Sequence, residues 1–190
     1  YEVVNDAEDL TALKYHVIVA SSQYALSSKD AANLRLYVED GHGLVVLDGV
    51  GTIDADAFLR GQSTYEGEGR VYDLYGYSGP KVASIERGLR GMRVVENNHS
   101  ITEGYERDMV FPFPIQAGVA FTQPVSTAKV LADQRVGLRG SRGYMGIPGL
   151  IAREYGRGRV VHFNFFAENV IGVISELMEK AILWAAGFNQ

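Results

Sequence analysis

Apolar positions along this chain fall into two rhythms. Two unbroken apolar runs, His16–Ala20 and Leu44–Leu47, flank a stretch from Ser27 to Val38 in which Ala31, Leu34 and Val38 recur at helical spacing. Ser27 with Asp30 three residues on predicts a capping box, and Gly41 stands where a left-handed residue ends a helix. A strand, a helix and a strand joined by short loops predict a right-handed crossover and parallel strands in one sheet. The second run ends in the turn Asp48-Gly49-Val50-Gly51. In an open α/β sheet the ends of such strands carry the chemistry.

The rest of the chain reads less regularly. Tyr1–Asn5 predicts a short strand, Ala7–Leu13 a helical or turn segment, and Thr52–Arg60 a weak helix. Between Gly61 and Pro80, glycines alternate with Tyr65, Tyr72, Tyr75 and Tyr77, which predicts an irregular excursion. Short strands are expected at Met92–Val95, Val110–Phe113, Gly118–Phe121, Ser126–Ala132, Gly149–Tyr155 and Gly158–Phe166. Gly156-Arg157-Gly158 should join the last two as a tight antiparallel hairpin. A closing amphipathic helix is marked by Ile171, Ile174, Leu177, Met178, Ala181, Ile182 and Ala185, with Gly187 ending it.

With 190 residues, the chain has the size of one domain that can bury a core without metal or disulfide. A net charge of -5 argues against nucleic acid as partner, since phosphate binding needs clustered cations. Acidic residues crowd the first third, whereas Arg135, Arg139, Arg142, Arg153, Arg157 and Arg159 gather late. They read either as solvated loop residues or as an anion or partner site. The absence of cysteine excludes thiol nucleophiles and thiolate metal sites. No segment reads as a membrane span or signal peptide, and a start at Tyr1 without Met suggests a processed or excised piece of a larger protein. Asn98-His99-Ser100 is a glycosylation sequon, meaningful only in an exported protein. The compartment stays open, with an extracellular or cell-surface setting favoured over the cytoplasm.

No cofactor or metal is expected. His42, His99 and His162 with Asp48 or Glu168 have the chemistry of zinc ligands but not the spacing, and ordinary polar or packing roles account for them. Ser21 and Ser22 lack a nucleophile-elbow context, and Gly49-Val50-Gly51-Thr52 lacks the Walker lysine. Tyr65, Tyr72, Tyr75 and Tyr77 form either a sugar-stacking or protein-contact surface or a local cover for a sheet edge.

The strand-helix-strand layout of His16–Gly43, the phrase Asn98–Gly104 (NHSITEG), the hairpin Ile151–Phe163 (IAREYGRGRVVHF) and the helix Ala181–Ala185 (AILWA) occur in an order that resembles the class I glutamine amidotransferase-like superfamily, in its ThuA-like and β-galactosidase-trimerisation-like branches. The resemblance implies a flavodoxin-like three-layer sandwich, α/β, with a mainly parallel sheet and antiparallel additions near the C-terminal hairpin. It also implies an opening strand and helix ahead of Tyr1–Asn5: either the piece is truncated, or a neighbouring segment or chain supplies the missing strand. Active members carry a Cys in the elbow, with a His and a Glu after a later strand. Here the elbow is Asp48-Gly49-Val50-Gly51, and His162 and Glu168 do not match that pair, so glutamine hydrolysis is not expected.

Two functions follow as expectations. The first is a non-catalytic binding, docking or assembly domain of a larger, carbohydrate-related or cell-surface protein, whose partners are other domains of that protein, a second copy or carbohydrate. The alternative is a small hydrolase or isomerase on a sugar-like substrate, with Asp48, His99 and Glu168 as acid-base groups converging in one pocket.

Overall fold

The computed structural model describes residues 15–21, 25–62, 69–79, 82–85, 88–115, 118–137, 144–165 and 172–188. In chain order the elements are β1 (Val17–Ser21), β2 (Ala25–Leu26), α1 (Ser28–Glu39), β3 (Gly43–Leu47), β4 (Ile53–Asp54), α2 (Ala55–Leu59), β5 (Val82–Ile85), β6 (Gly88–Val94), β7 (Val110–Ile115), β8 (Gly118–Phe121), β9 (Lys129–Gly137), β10 (Tyr144–Tyr155), β11 (Gly158–Phe163) and α3 (Val173–Ala185). Seven strands form the main sheet in the order β1-β3-β11-β10-β9-β6-β7. The pairs β2–β4 and β5–β8 stand apart from it. The expected strand Tyr1–Asn5 and the segment Ala7–Leu13 lie outside the described residues.

The first unit forms as its sequence dictates. Ser27 caps α1: its hydroxyl accepts the Asp30 N–H at 3.0 Å while the Asp30 carboxylate accepts the Ser27 N–H. Gly41, at φ +108°, turns the chain into β3. β1 and β3 run parallel, and β11 joins β3 in parallel on its other side.

Beyond β11 the sheet departs from the expected mainly parallel arrangement. β11–β10, β10–β9, β9–β6 and β6–β7 are all antiparallel. Helical crossovers generate parallel neighbours, and among the described residues of this half no helix separates paired strands, which run antiparallel. The sheet is therefore mixed, with its parallel part confined to β1, β3 and β11.

Strand alternation divides the core between two faces. Val45, Leu47, Val161 and Phe163 pack on the side where α3 lays down Ile174, Leu177, Ala181 and Ala185. Each large aliphatic side chain buried there contributes about 1.5–3 kcal/mol. Leu44, Val46 and Val160 face the other side, under Ala31, Leu34, Tyr37 and Val38 of α1 and under Val71, Leu74, Tyr75 and Tyr77 of the glycine-tyrosine stretch. The layers are helix, sheet, then helix with coil. Among the described residues no helix is long and apolar enough to cross a membrane.

Candidate functional site

β3 ends at Asp48, one of two described non-glycine residues with positive φ (66°). An L-residue pays steric strain in this left-handed region, and Asp tolerates it better than most. The Asp48 N–H still donates to the Phe163 carbonyl at 3.0 Å, so the parallel ladder with β11 continues up to the turn. Gly51 follows at φ +58°, where a side chain would strike Val71. The turn is thus pinned against the glycine-tyrosine stretch.

That pinning is polar as well as steric. Tyr75 donates its hydroxyl to the Val50 carbonyl at 2.6 Å. His162, on β11 opposite Val46, is completely buried, and its Nε2 lies 2.8 Å from the Asp48 carbonyl oxygen. A carbonyl only accepts, so Nε2 carries the proton. Nδ1 is then the acceptor for the Tyr77 hydroxyl at 3.2 Å. The Tyr75 ring stacks on the imidazole at 4.9 Å and 17°, and the Tyr77 ring meets it edge-on at 5.6 Å and 89°. Burial pushes the imidazole down to about 4, against a smaller upward pull from the Asp48 carbonyl. His162 is neutral at pH 7, with both ring nitrogens engaged. Burial also raises the Tyr75 and Tyr77 phenols well above their ordinary value.

Polar groups continue around the end of β11. Asn164 donates to the Pro148 carbonyl at 2.7 Å, and Gln134 donates to the Asn164 carbonyl. The buried Gln134 Oε1 has no hydrogen-bond partner among the described residues.

The candidate acid-base residues do not gather here. The His99 ring packs against that of Trp184 at 4.9 Å and a tilt of 57°, and the Trp184 carbonyl and ring are held by Arg159. Arg159 pairs with Gly43, at the first residue of β3, whereas Asp48 follows its last. The fold places His99 and Asp48 at opposite ends of the strand. The Nδ1 of His99 accepts the Ile101 N–H at 3.3 Å, so the imidazole caps its own turn. Burial foremost lowers its pKa, helped by the nearby Lys129 charge. Glu168 lies outside the described residues. The expectation of one pocket holding Asp48, His99 and Glu168 is corrected for its first two members.

The tyrosine surface is corrected too. Tyr75 and Tyr77 are buried core residues under β3 and β11, because the stretch carrying them fills the layer beside α1. Tyr72 is half-buried beneath the Arg70 guanidinium, 4.7 Å from its ring centroid, and Tyr65 lies outside the described residues. His42 stacks on Tyr37 at 4.4 Å. Among the described residues no group of three or more His, Asp or Glu is placed to hold a metal ion. Of the late arginines, Arg153 and Arg159 donate to the carbonyls of Asp73 and Trp184, and Arg157 pairs with Asp40 at 3.0 Å.

Sequence reasoning missed Asp54. Its buried carboxylate accepts the N–H groups of Ala57 at 2.7 Å and Gly69 at 2.9 Å, capping α2 and anchoring the return of the glycine-tyrosine stretch. Burial alone would raise its pKa, but these bonds together with the nearby Arg60 charge outweigh it and hold the group below its ordinary value. The signal was Asp before the Ala-Asp-Ala-Phe run, a helix start without a strong apolar period behind it.

No protein-family model matches the chain, and no curated protein matches it. Its likeness to solved structures is one of fold. A β-galactosidase from Bacillus circulans sp. alkalophilus superposes with a TM-score of 0.59 at 19% identity, over 88% of this chain and 23% of that one. A β-galactosidase from the haloarchaeon Halorubrum lacusprofundi gives 0.59 at 17% identity, over 91% and 22%. A ThuA-like protein from Bacteroides uniformis gives 0.59 at 14% identity, over 97% and 76%. The chain spans less than a quarter of the length of these β-galactosidases. β-Galactosidases and ThuA-like proteins are thus both among the solved structures that share this fold.

Proposed function

We propose that this chain is a non-catalytic docking or assembly domain of a larger, carbohydrate-related protein. The observation that carries this reading is the state of the strand end where this fold does chemistry. The one histidine beside Asp48 is neutral, buried and spent on the Asp48 carbonyl and the Tyr77 hydroxyl. A base must be within reach of a proton on the substrate and able to take it, and His162 meets neither condition. The other candidate, His99, sits at the far end of β3. The carbohydrate association rests on fold likeness to β-galactosidases of which this chain spans only a part. An extracellular or cell-surface setting suits such an accessory role and stays part of the proposal.

The test is turnover. The purified chain, presented with a panel of p-nitrophenyl glycosides and with glutamine, should release no product above the buffer rate. Product release that disappears in Asp48→Asn would overturn the reading and make the end of β3 an active site.

A further inference from the structure

Asn98 is the one asparagine of the 190-residue sequence with Ser or Thr two places on and no proline between, in Asn98-His99-Ser100. These residues lie in the turn that follows β6 and precedes β7, outside any helix or strand. The fold treats the middle residue and its neighbours in opposite ways. His99 is the anchor: its ring packs against Trp184 at 4.9 Å, its Nδ1 accepts the Ile101 N–H, and its carbonyl accepts the N–H groups of Thr102 and Glu103, both at 2.8 Å. Next in the chain, Ile101 and Thr102 are completely buried, and the Thr102 hydroxyl donates to the Glu96 carbonyl at 2.6 Å.

The residues on either side of His99 are left for solvent. Asn98 is exposed, and its backbone N–H donates to Glu96 Oε1 at 2.8 Å. Among the described residues neither the Asn98 carboxamide nor the Ser100 hydroxyl has a hydrogen-bond partner, and neither is sealed in the interior. Asn and Ser in turns ordinarily bond back to nearby backbone groups. In this turn His99 and Thr102 supply those bonds, so the side chains of Asn98 and Ser100 stay unengaged.

We propose that Asn98 is an acceptor for an N-linked glycan. The modification needs a carboxamide nitrogen within reach and a hydroxyl two residues on, and a surface turn is the structural context that gives such a motif meaning. The co-reactant is an oligosaccharide carried on a lipid diphosphate. Asn98 Nδ2 bonds to the anomeric carbon, the anomeric C–O bond to the diphosphate breaks, the lipid diphosphate leaves with the electron pair, and Nδ2 gives up one proton. The glycan would stand at the end of β3 remote from Asp48 and would keep a docking partner off that end of the sheet. The proposal goes beyond the docking reading and takes from it only the extracellular setting, because an exported chain meets the donor.

The experiment gives the purified, folded chain to a single-subunit oligosaccharyltransferase with its lipid-linked oligosaccharide, beside a peptide of residues 96–102 as the unfolded reference. The intact mass should rise by one oligosaccharide, and peptide mapping should place it on Asn98. The folded chain should react within about a hundredfold of the peptide rate, since an acceptor that waited for global unfolding would be slowed at least about a thousandfold. Asn98→Gln and Ser100→Ala should each abolish the gain with an unchanged far-UV spectrum, and Ser100→Thr should keep it. A folded chain slower than this limit overturns the proposal, as does refusal of the peptide itself or a gain that survives Asn98→Gln or Ser100→Ala. Such a failure leaves the docking reading standing, and an Asp48-dependent turnover overturns that reading without touching the acceptor.

Discussion

His162 donates its Nε2 proton to the backbone carbonyl of Asp48, 2.8 Å away, and so ties β11 to the strained residue that follows β3. Where the fold places its chemistry, this chain has placed a structural clasp. The bond requires Nε2 to be protonated and Nδ1 bare, and a bare Nδ1 is what the Tyr77 hydroxyl needs. Each contact selects the tautomer that the other uses.

The clasp makes stability depend on pH in a definite direction. The folded imidazole is pushed down to about 4 and the unfolded one titrates near 6.5, so between these values the unfolded chain binds more protons. Stability should be full above about pH 6.5 and fall as the pH drops toward 4, by about 3 kcal/mol if the whole shift is expressed. Burial lowers His99 as well, which adds loss of the same sign. Urea unfolding from about pH 7 to about pH 4 should follow this slope, and His162→Gln should flatten most of it. A wild-type slope equal to that of the variant would show that His162 is not held neutral by the fold.

Tyr77→Phe removes the donor to Nδ1 and keeps the edge-on ring. A buried acceptor left without its donor costs about 1–3 kcal/mol. Tyr75→Phe should cost a similar amount through the Val50 carbonyl, while its stacked ring remains in place. The two losses should not add, because both hydroxyls pin the same turn around one imidazole. A double-mutant cycle by urea unfolding reads the coupling directly.

Asp48 sits at φ 66°, so its backbone sets the tolerance of this position. Glycine adopts that conformation without strain, and Asp48→Gly should stay within about 1 kcal/mol of wild type. Asp48→Val adds a branched Cβ in the left-handed region and should lose about 2 kcal/mol or more. Thermal melts of the two variants separate the backbone requirement from any need for the carboxylate.

Most of the helical and parallel framework was legible because its signals are local. Ser27 with Asp30, Gly41, the run Leu44–Leu47 and the periodic closing helix each fix their element within a few residues, and the structure returns all of them. The mixed character of the sheet was less legible, because strand direction depends on which distant strands pair. β6 lies between β7 and β9 through contacts that no local period encodes. The site stayed open between two readings for a related reason. Tyrosines interleaved with glycines look alike whether they face solvent or fill a layer, and only the fold seats Tyr75 and Tyr77 on His162. The sequence likewise offered no measure of the distance between His99 and Asp48, which is set by the length of β3.

Among the described glycines the tightest steric demand is at Gly158, where the β10–β11 hairpin turns under α1. A Cβ on this residue would run into the backbone carbonyl oxygens of both Val38 and His42, and neither can rotate away as a side-chain end can. Relief requires moving the hairpin off the C-terminal end of α1, which would disturb the antiparallel start of β10–β11 at Tyr155 and Gly158 and the parallel start of β11–β3 at Arg159 and Gly43. Gly158→Ala should therefore cost at least about 3 kcal/mol, at the upper end of what overpacking does. Gly79 offers the control, since it has ordinary φ and nothing within 4 Å of the place its Cβ would occupy. Gly79→Ala should be neutral or slightly stabilising, through the loss of backbone freedom in the unfolded chain. Chemical denaturation of the pair distinguishes a steric requirement from a general preference for glycine in turns: equal, small effects would mean that α1 and the hairpin are not packed backbone to backbone.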